Sequence, residues 1–325
     1  MDAKLLMMFR VLFQGSDGRP ARRDRPDARP SISTLYESQM KTRPLLPRTL
    51  PFVFAMMALC ALTALAQQTV TSPRADGAET PLRIFAPAGQ SCAPLAVISP
   101  GAGGTENGYA YLAEGLRDHG YLAVVMGHKE SGPATLRKDI VHEGIHGGLK
   151  DMVTDPKLQN DRMLDLAAAL NWAGKQCHRA YKVLLGHSMG SDTVVFEAGA
   201  HNKLAVHGED RFDAYVAISP SGPGSIFSND SWKGIHKPLY VLTGTRDKGL
   251  EGTWEWRAAP YYDLPPGCKW LGVIDGATHM NFAGVGFAGK TKELTLASII
   301  AFLDGARSGK CALPAAGLGI TLKSK

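Results

Sequence analysis

Five cysteines in 325 residues are too few for a dense disulfide scaffold. Apolar runs of full membrane-spanning length and flanking are lacking. The longest candidate, residues 51–66 (PFVFAMMALCALTALA), has the length of a signal-peptide core. No internal repeat or linker interrupts the body of the chain. The 36 glycines and 20 prolines follow no triplet period, which excludes a collagen-like fibre. At 20% charged and 44% hydrophobic residues, the chain is not a disordered one. A real excess of one charge is also missing. The formal net charge is +6, but residues 1–66 hold ten of the 36 Lys/Arg and five of the 30 acids. The remainder, 26 bases and 25 acids, is nearly neutral. It lacks the basic footprint that phosphate binding needs, so nucleic acid is not an expected partner.

What the sequence does have begins with a leader. Lys41, Arg43 and Arg48 precede the apolar run, and Ala64-Leu65-Ala66 places small residues at −3 and −1 of a cleavage before Gln67. Residues 40–66 are therefore read as a signal peptide. Residues 1–39, rich in Arg, Pro and Asp, are read as a disordered or upstream extension. Residues 67–325 are read as one catalytic domain, secreted or periplasmic and free of the membrane once the signal is removed. The competing reading of 51–66 is an uncleaved anchor helix. Cys60 follows the bulky Leu59, where a lipid-attachment signal wants a small residue. Cleavage leaves Cys92, Cys177, Cys268 and Cys311. In an oxidising compartment these imply two disulfides with three possible connectivities, against an alternative of four buried thiols.

Along the mature chain, short apolar runs alternate with amphipathic ones. Strands are predicted at Pro81–Ala86, Pro94–Ser99, Tyr121–Met126, Lys182–Gly186, Asp213–Ser219, Pro238–Thr243 and Lys269–Asp275. Helices are predicted at Tyr109–His119, Asn160–Lys175, from Ser188 to about Ala200, and at Lys292–Ala306. Residues 127–157, rich in Gly, His and Lys, read as a long irregular stretch. Near-continuous apolar strands separated by helices imply an α/β fold, a mostly parallel sheet of about eight strands covered on both faces.

Gly186-His187-Ser188-Met189-Gly190 fits G-x-S-x-G at the end of a strand and the start of a helix. The two glycines let strand and helix approach closely, and the sharp turn exposes the Ser188 hydroxyl at the carboxyl edge of the sheet. A serine hydroxyl needs a base, and an acid and a histidine should follow in that order. Asp247 follows the strand PLYVLT, and His279 follows KWLGVID. Asp275 is the competing acid, but it stands only four residues from His279 on the same connection. Ser188, Asp247 and His279 are thus the predicted catalytic residues. The backbone N–H groups of Met189 and of Ala102, in the loop Ser99–Gly104, are the predicted oxyanion donors. That loop is not a dinucleotide fingerprint, because Glu106 stands where the third glycine belongs.

SPGAGG, YLAEGLRDHGYLAVV, GHSMGS, TGTRD and GATHMNF, in this order over most of residues 81–305, resemble the α/β-hydrolase superfamily. Within it the chain resembles the bacterial dienelactone-hydrolase-like esterases and is similar to the cutinase and polyester hydrolase group. The resemblance implies the Ser188–Asp247–His279 triad, the Ala102 and Met189 oxyanion hole, and no metal or cofactor. It also implies hydrolysis of a small or polymeric carboxylic ester by a monomer. The short connection from Ser219 to Pro238 implies no large lid. There are departures. Polyester hydrolases usually carry an aromatic residue where Ala102 stands, and dienelactone hydrolases proper use a cysteine nucleophile. The order of strands in this fold implies the disulfides Cys92–Cys177 and Cys268–Cys311, each worth about 2–4 kcal/mol.

Gly103, His128 and Trp254 are assigned to the substrate pocket, which 127–157 and 248–266 should shape. Trp256, Tyr261 and Tyr262 read chiefly as core or helix cover. His142-Glu143-Gly144-Ile145-His146 matches the zinc-protease pattern H-E-x-x-H, but that pattern works only on a helix. Gly144, Gly147 and Gly148 each weaken a helix by about 1 kcal/mol. A serine peptidase or amidase on the same fold, a non-catalytic binding protein and, more distantly, a zinc hydrolase are the rival functions.

Overall fold

The computed structural model describes residues 67–178, 181–314, 317 and 319–325. The leader readings, with Cys60, lie outside these residues. Among the described residues, nine strands form one sheet: β1 (Gln67–Pro73), β2 (Glu79–Phe85), β3 (Leu95–Ser99), β4 (Leu122–Met126), β5 (Lys182–His187), β6 (Ala214–Ile218), β7 (Leu239–Arg246), β8 (Lys269–Thr278) and β9 (Ile320–Ser324). Their spatial order is β1-β2-β4-β3-β5-β6-β7-β8-β9. The six central strands, β4 through β8, run parallel; β1, β2 and β9 pair antiparallel at the margins. β1 and β9 are the two strands the sequence pattern did not disclose.

The central strands are apolar throughout because both of their faces are covered. Every residue of LAVIS in β3 and AYVAI in β6 is buried. Successive side chains alternate between two cores. Val97, Val124, Leu184, Tyr215 and Val241 enter one core, and Ala96, Val125, Leu185, Val216 and Leu242 enter the other. Seven helices cover the sheet among the described residues: α1 (Ala110–Asp118), α2 (Pro133–Thr154), α3 (Pro156–Gln176), α4 (Met189–Glu197), α5 (Trp254–Asp263), α6 (His279–Phe282) and α7 (Gly289–Ser308). Met163 and Leu166 of α3, Val194 and Val195 of α4 and Ala258 of α5 fill the first core. Leu112 and Leu116 of α1 and Ile299, Phe302 and Leu303 of α7 fill the second.

The stretch 127–157 is not irregular. It forms α2 and the start of α3, which opens on Asp155 accepting from Lys157 N and Leu158 N, with Pro156 in the first turn. The glycines that argued against a helix instead fold it in two. Gly144 sits at φ 73°, ψ 174°, and breaks α2. Beyond it, Gly148 lies so close to the first arm that a Cβ would stand 2.6 Å from the Asp139 carbonyl carbon and the Ile140 nitrogen. The connection between Ile218 and Leu239 holds no helix, so no large lid is built there.

Cys92 is bonded to Cys177 and Cys268 to Cys311. Cys92, Cys177 and Cys268 precede the amino ends of β3, β5 and β8, so both bridges tie the edge of the sheet opposite the strands' carboxyl ends.

Candidate active site

The loops after β3, β5, β7 and β8 share the carboxyl edge of the parallel strands, where ligands bind in open α/β sheets. β5 stops at His187 and α4 begins at Met189, so the chain reverses at Ser188. Its φ is 56° and its ψ −126°, a conformation costly for any residue with a side chain. The flanking glycines permit the turn. A Cβ on Gly186 would stand 2.0 Å from Gly190 O, and one on Gly190 would stand 1.9 Å from Ser99 O. Ser188 N–H donates to Ile218 O at 2.9 Å, which pins the turn to β6.

The structure brings the three predicted residues together. His279 Nε2 lies 2.9 Å from Ser188 Oγ, and His279 Nδ1 lies 2.9 Å from Asp247 Oδ1. Asp247 is fully buried and follows an irregularity in the β7–β8 pairing between Gly244 and Arg246. Its other oxygen, Oδ2, accepts from Ser219 Oγ at 2.5 Å and Thr243 Oγ1 at 2.9 Å. Burial by itself would raise the Asp247 carboxyl. The His279 hydrogen bond, the Arg257 charge and Ser219 outweigh it and hold the group down to about 2. His279 is pushed below its ordinary value by burial first and then by Arg257, against the pull of Asp247. The ring is therefore uncharged at pH 7. Asp275 pairs with Thr245 Oγ1 at 3.1 Å and is exposed.

Behind His279 a second histidine fixes the backbone. Gly101 N–H donates to Tyr109 Oη at 3.3 Å, and Tyr109 Oη lies 2.7 Å from His187 Nδ1. Tyr109 thus gives its proton to Nδ1, and His187 donates from Nε2 to the carbonyl of His279 at 3.1 Å. Burial, then His279, pushes His187 well below its ordinary value, so the ring stays neutral. This chain of bonds ties the loop after β3 to the loop after β8.

That β3 loop passes beside the serine: a Cβ on Gly101 would stand 3.1 Å from Ser188 Cβ. Among the described residues, no protein acceptor takes the N–H of Ala102 or of Met189. Gly103, at φ 71°, donates to Ser131 O at 2.9 Å and lies against Leu136 of α2. A Cβ there would meet Leu136 at 2.4 Å, so Gly103 is held against the helix that covers the loop.

His128 is not at the pocket. It is 2% exposed and sits behind Ser99, with Nε2 3.0 Å from Ser99 Oγ and Nδ1 2.8 Å from Asp165 Oδ2. Its position next to a buried carboxylate overrode its place in a loop. Burial, then Arg162, lowers it to about 4. Arg162 of α3 completes the cluster. It donates to Ser99 Oγ and Thr193 Oγ1 at 3.0 Å, to Ser131 Oγ at 2.7 Å, and to Pro100 O. Neither Arg162 nor Asp165 carried a sequence signal beyond being polar residues on the inner face of a helix. Trp254 opens α5 and packs half-buried against the first core. The zinc-type motif is broken by Gly144, so His142 and His146 do not share one helix face; His146 Nε2 lies 3.2 Å from Leu250 O. A cavity of about 400 Å³ opens elsewhere. It is lined by Leu95, Leu122 and Lys182, which begin β3, β4 and β5, and so lies on the edge away from Ser188.

No family profile matches the sequence, and no curated protein matches it. Solved structures do match its architecture. A protein from Klebsiella pneumoniae subsp. pneumoniae MGH 78578 assigned as a dienelactone hydrolase is 16% identical, with a TM-score of 0.52 over 73% of this chain and 98% of its own. Est1E from Butyrivibrio proteoclasticus, in a structure with ferulic acid bound, is 15% identical, with a TM-score of 0.52 over 74% of this chain and 99% of its own. The fold is that of the α/β-hydrolases. On an α/β-hydrolase sheet the turn at Ser188 lies at the centre of the carboxyl edge, between the β3 loop and the loops carrying Asp247 and His279.

Proposed function

We propose that the protein is an exported serine hydrolase of carboxylic esters. The observation that carries the reading is the unbroken line from Asp247 Oδ1 through His279 to Ser188 Oγ, with 2.9 Å at each contact. His279 Nε2 takes the Ser188 proton as Oγ attacks the ester carbonyl. Asp247 keeps the proton of the neutral ring on Nδ1 and stabilises the imidazolium that forms. The N–H groups of Met189 and Ala102 receive the developing oxyanion, each worth about 3–4 kcal/mol in the transition state. His279 then protonates the departing alcohol, and water repeats the sequence on the acyl-enzyme. The side chains and backbone groups named supply every proton transfer, so this reading requires no cofactor. Two disulfides suit an oxidising compartment, and no described helix is long and apolar enough to cross a membrane.

The test is hydrolysis of p-nitrophenyl esters from acetate to palmitate by the full chain and by Ser188→Ala. An aryl ester such as methyl ferulate is added because the Est1E structure holds ferulic acid. The substitution is expected to lower kcat by about 10⁴–10⁶-fold with the fold intact. Equal turnover in both proteins would refute the assignment. Matched anilides run in parallel separate an esterase from an amidase.

A further inference from the structure

Arg257 of α5 plays no part in the proton transfers above, yet it reaches their centre. Its side chain is 6% exposed, and Nε lies 2.9 Å from Asp247 Oδ1, the same oxygen that His279 Nδ1 contacts. Nε stands off the line of a good hydrogen bond, so the contact is ionic. The guanidinium is held there by its other nitrogens. Nη1 donates to Ser219 O at 2.5 Å and Pro220 O at 3.2 Å, and Nη2 donates to Lys248 O at 3.2 Å. The group is therefore clamped to three loop carbonyls and cannot swing away when His279 becomes charged.

Resting on the triad reading, we propose that Arg257 is a positioning residue that moves the acid edge of catalysis further down than burial alone does, by holding a fixed positive charge on the carboxylate oxygen that His279 uses. Asp247 and Arg257 together are neutral. An imidazolium at His279 then meets a carboxylate already neutralised and a second cation beside it. The ring is thereby a weaker base that stays unprotonated in more acidic solution, and a stronger acid toward the leaving alcohol.

The other groups that face this pair bear on the same balance. His187, from the end of β5, lies tilted against the His279 ring with the centroids 4.6 Å apart, and remains neutral. Asp192, in the first turn of α4, accepts from Ser221 N at 3.1 Å and Ser221 Oγ at 3.0 Å. It acts on Arg257 as a negative charge, and burial pushes its carboxyl up to about 6. Its ionisation falls within the pH range of interest, so Asp192→Asn is the necessary control. Arg162 acts on Asp192 from α3. Lys248 contributes its carbonyl to the clamp.

The experiment is the pH profile of kcat/KM for p-nitrophenyl butyrate, followed at the isosbestic wavelength of p-nitrophenol, for the full chain, Arg257→Gln, Arg257→Lys and Asp192→Asn. The wild-type acid limb is expected below 6.5, the ordinary histidine value. Arg257→Gln should move it upward by about one unit or more, and Arg257→Lys should restore most of the wild-type limb. The Gln shift should persist in a fifth protein that combines Arg257→Gln with Asp192→Asn. An acid limb at or above 6.5 in the wild type overturns the proposal without any variant, which covers the case in which Arg257→Gln does not fold. A Gln variant that loses kcat but keeps the wild-type limb assigns Arg257 to packing alone. Fluorophosphonate labelling and Ser188→Ala, run alongside, separate the two claims. Turnover that survives Ser188→Ala defeats the triad reading and this proposal with it. Turnover that dies with Ser188→Ala, with an unmoved limb in Arg257→Gln, defeats only the role of Arg257.

Discussion

Single buried charges make opposite demands on pH at this edge of the sheet. Asp247 is lowered to about 2, so its share of stability is present above about pH 4 and is lost as the pH falls through 2. Asp192 is raised to about 6, mainly by burial. In the native state it holds its proton between about 4 and 6, where the unfolded chain has released it. Stability from this group therefore falls as pH rises through that window and stays low above it. A shift of about two units corresponds to about 3 kcal/mol. Asp192→Asn mimics the protonated carboxyl and should raise the melting temperature at pH 7.5. The advantage should fade by about pH 4. Melting curves at the two pH values decide it, and a variant less stable at pH 7.5 would show that the Asp192 charge supports its neighbours. The chain tolerates this group next to Arg257 and Arg162, whose charges act on it within the site.

At the scale of elements, β3, β5 and α4 meet at two glycines. Gly190→Ala drives a methyl into the backbone oxygen of Ser99, 1.9 Å away, with no flexible side chain to yield. It is expected to separate α4 from β3, to cost about 3 kcal/mol or more, and to remove fluorophosphonate labelling of Ser188. Gly289 in the first turn of α7 has open space around it, so Gly289→Ala should be neutral or stabilise by up to about 1 kcal/mol. Thermal denaturation of the pair checks both signs, and equal effects would mean that contact at Gly190 is not the cause. The same elements show what a sequence can disclose. Strands buried on both faces announce themselves as apolar runs, and Ser188, Asp247 and His279 were legible because each follows such a run. β1 and β9 were not, because edge strands are half-exposed and carry Thr, Ser and Lys. α2 was hidden because its glycines are there to fold it in two at Gly144 and to bring its arms together at Gly148. The buried place of His128 is not legible in the sequence, because its partner Asp165 lies on a different element, 37 positions away, and only the folded sheet joins them.

For the molecule as a whole, the sheet divides two tasks between its edges. The carboxyl edge holds the turn at Ser188 and its partners, with strained backbone and buried charge. The amino edge holds both disulfides, each closing a long loop, 85 residues for Cys92–Cys177 and 43 for Cys268–Cys311. Cross-links stabilise chiefly by restricting the unfolded chain, and a doubling of loop length adds about 0.6 kcal/mol. Because the bridges lie across the sheet from Ser188, removing them should change how often the protein unfolds and leave the folded site alone. Reduction with dithiothreitol is therefore expected to lower the melting temperature by several degrees while kcat and KM for p-nitrophenyl butyrate, measured well below the transition, stay within about two-fold. Replacing Cys92 and Cys177 by serine should cost about 0.6 kcal/mol more than replacing Cys268 and Cys311, if chain entropy governs both. A kcat that falls with reduction at a temperature where circular dichroism is unchanged would mean that the two edges are coupled through β3 and β5, the strands that run from the Cys92–Cys177 bridge directly to Pro100 and Ser188.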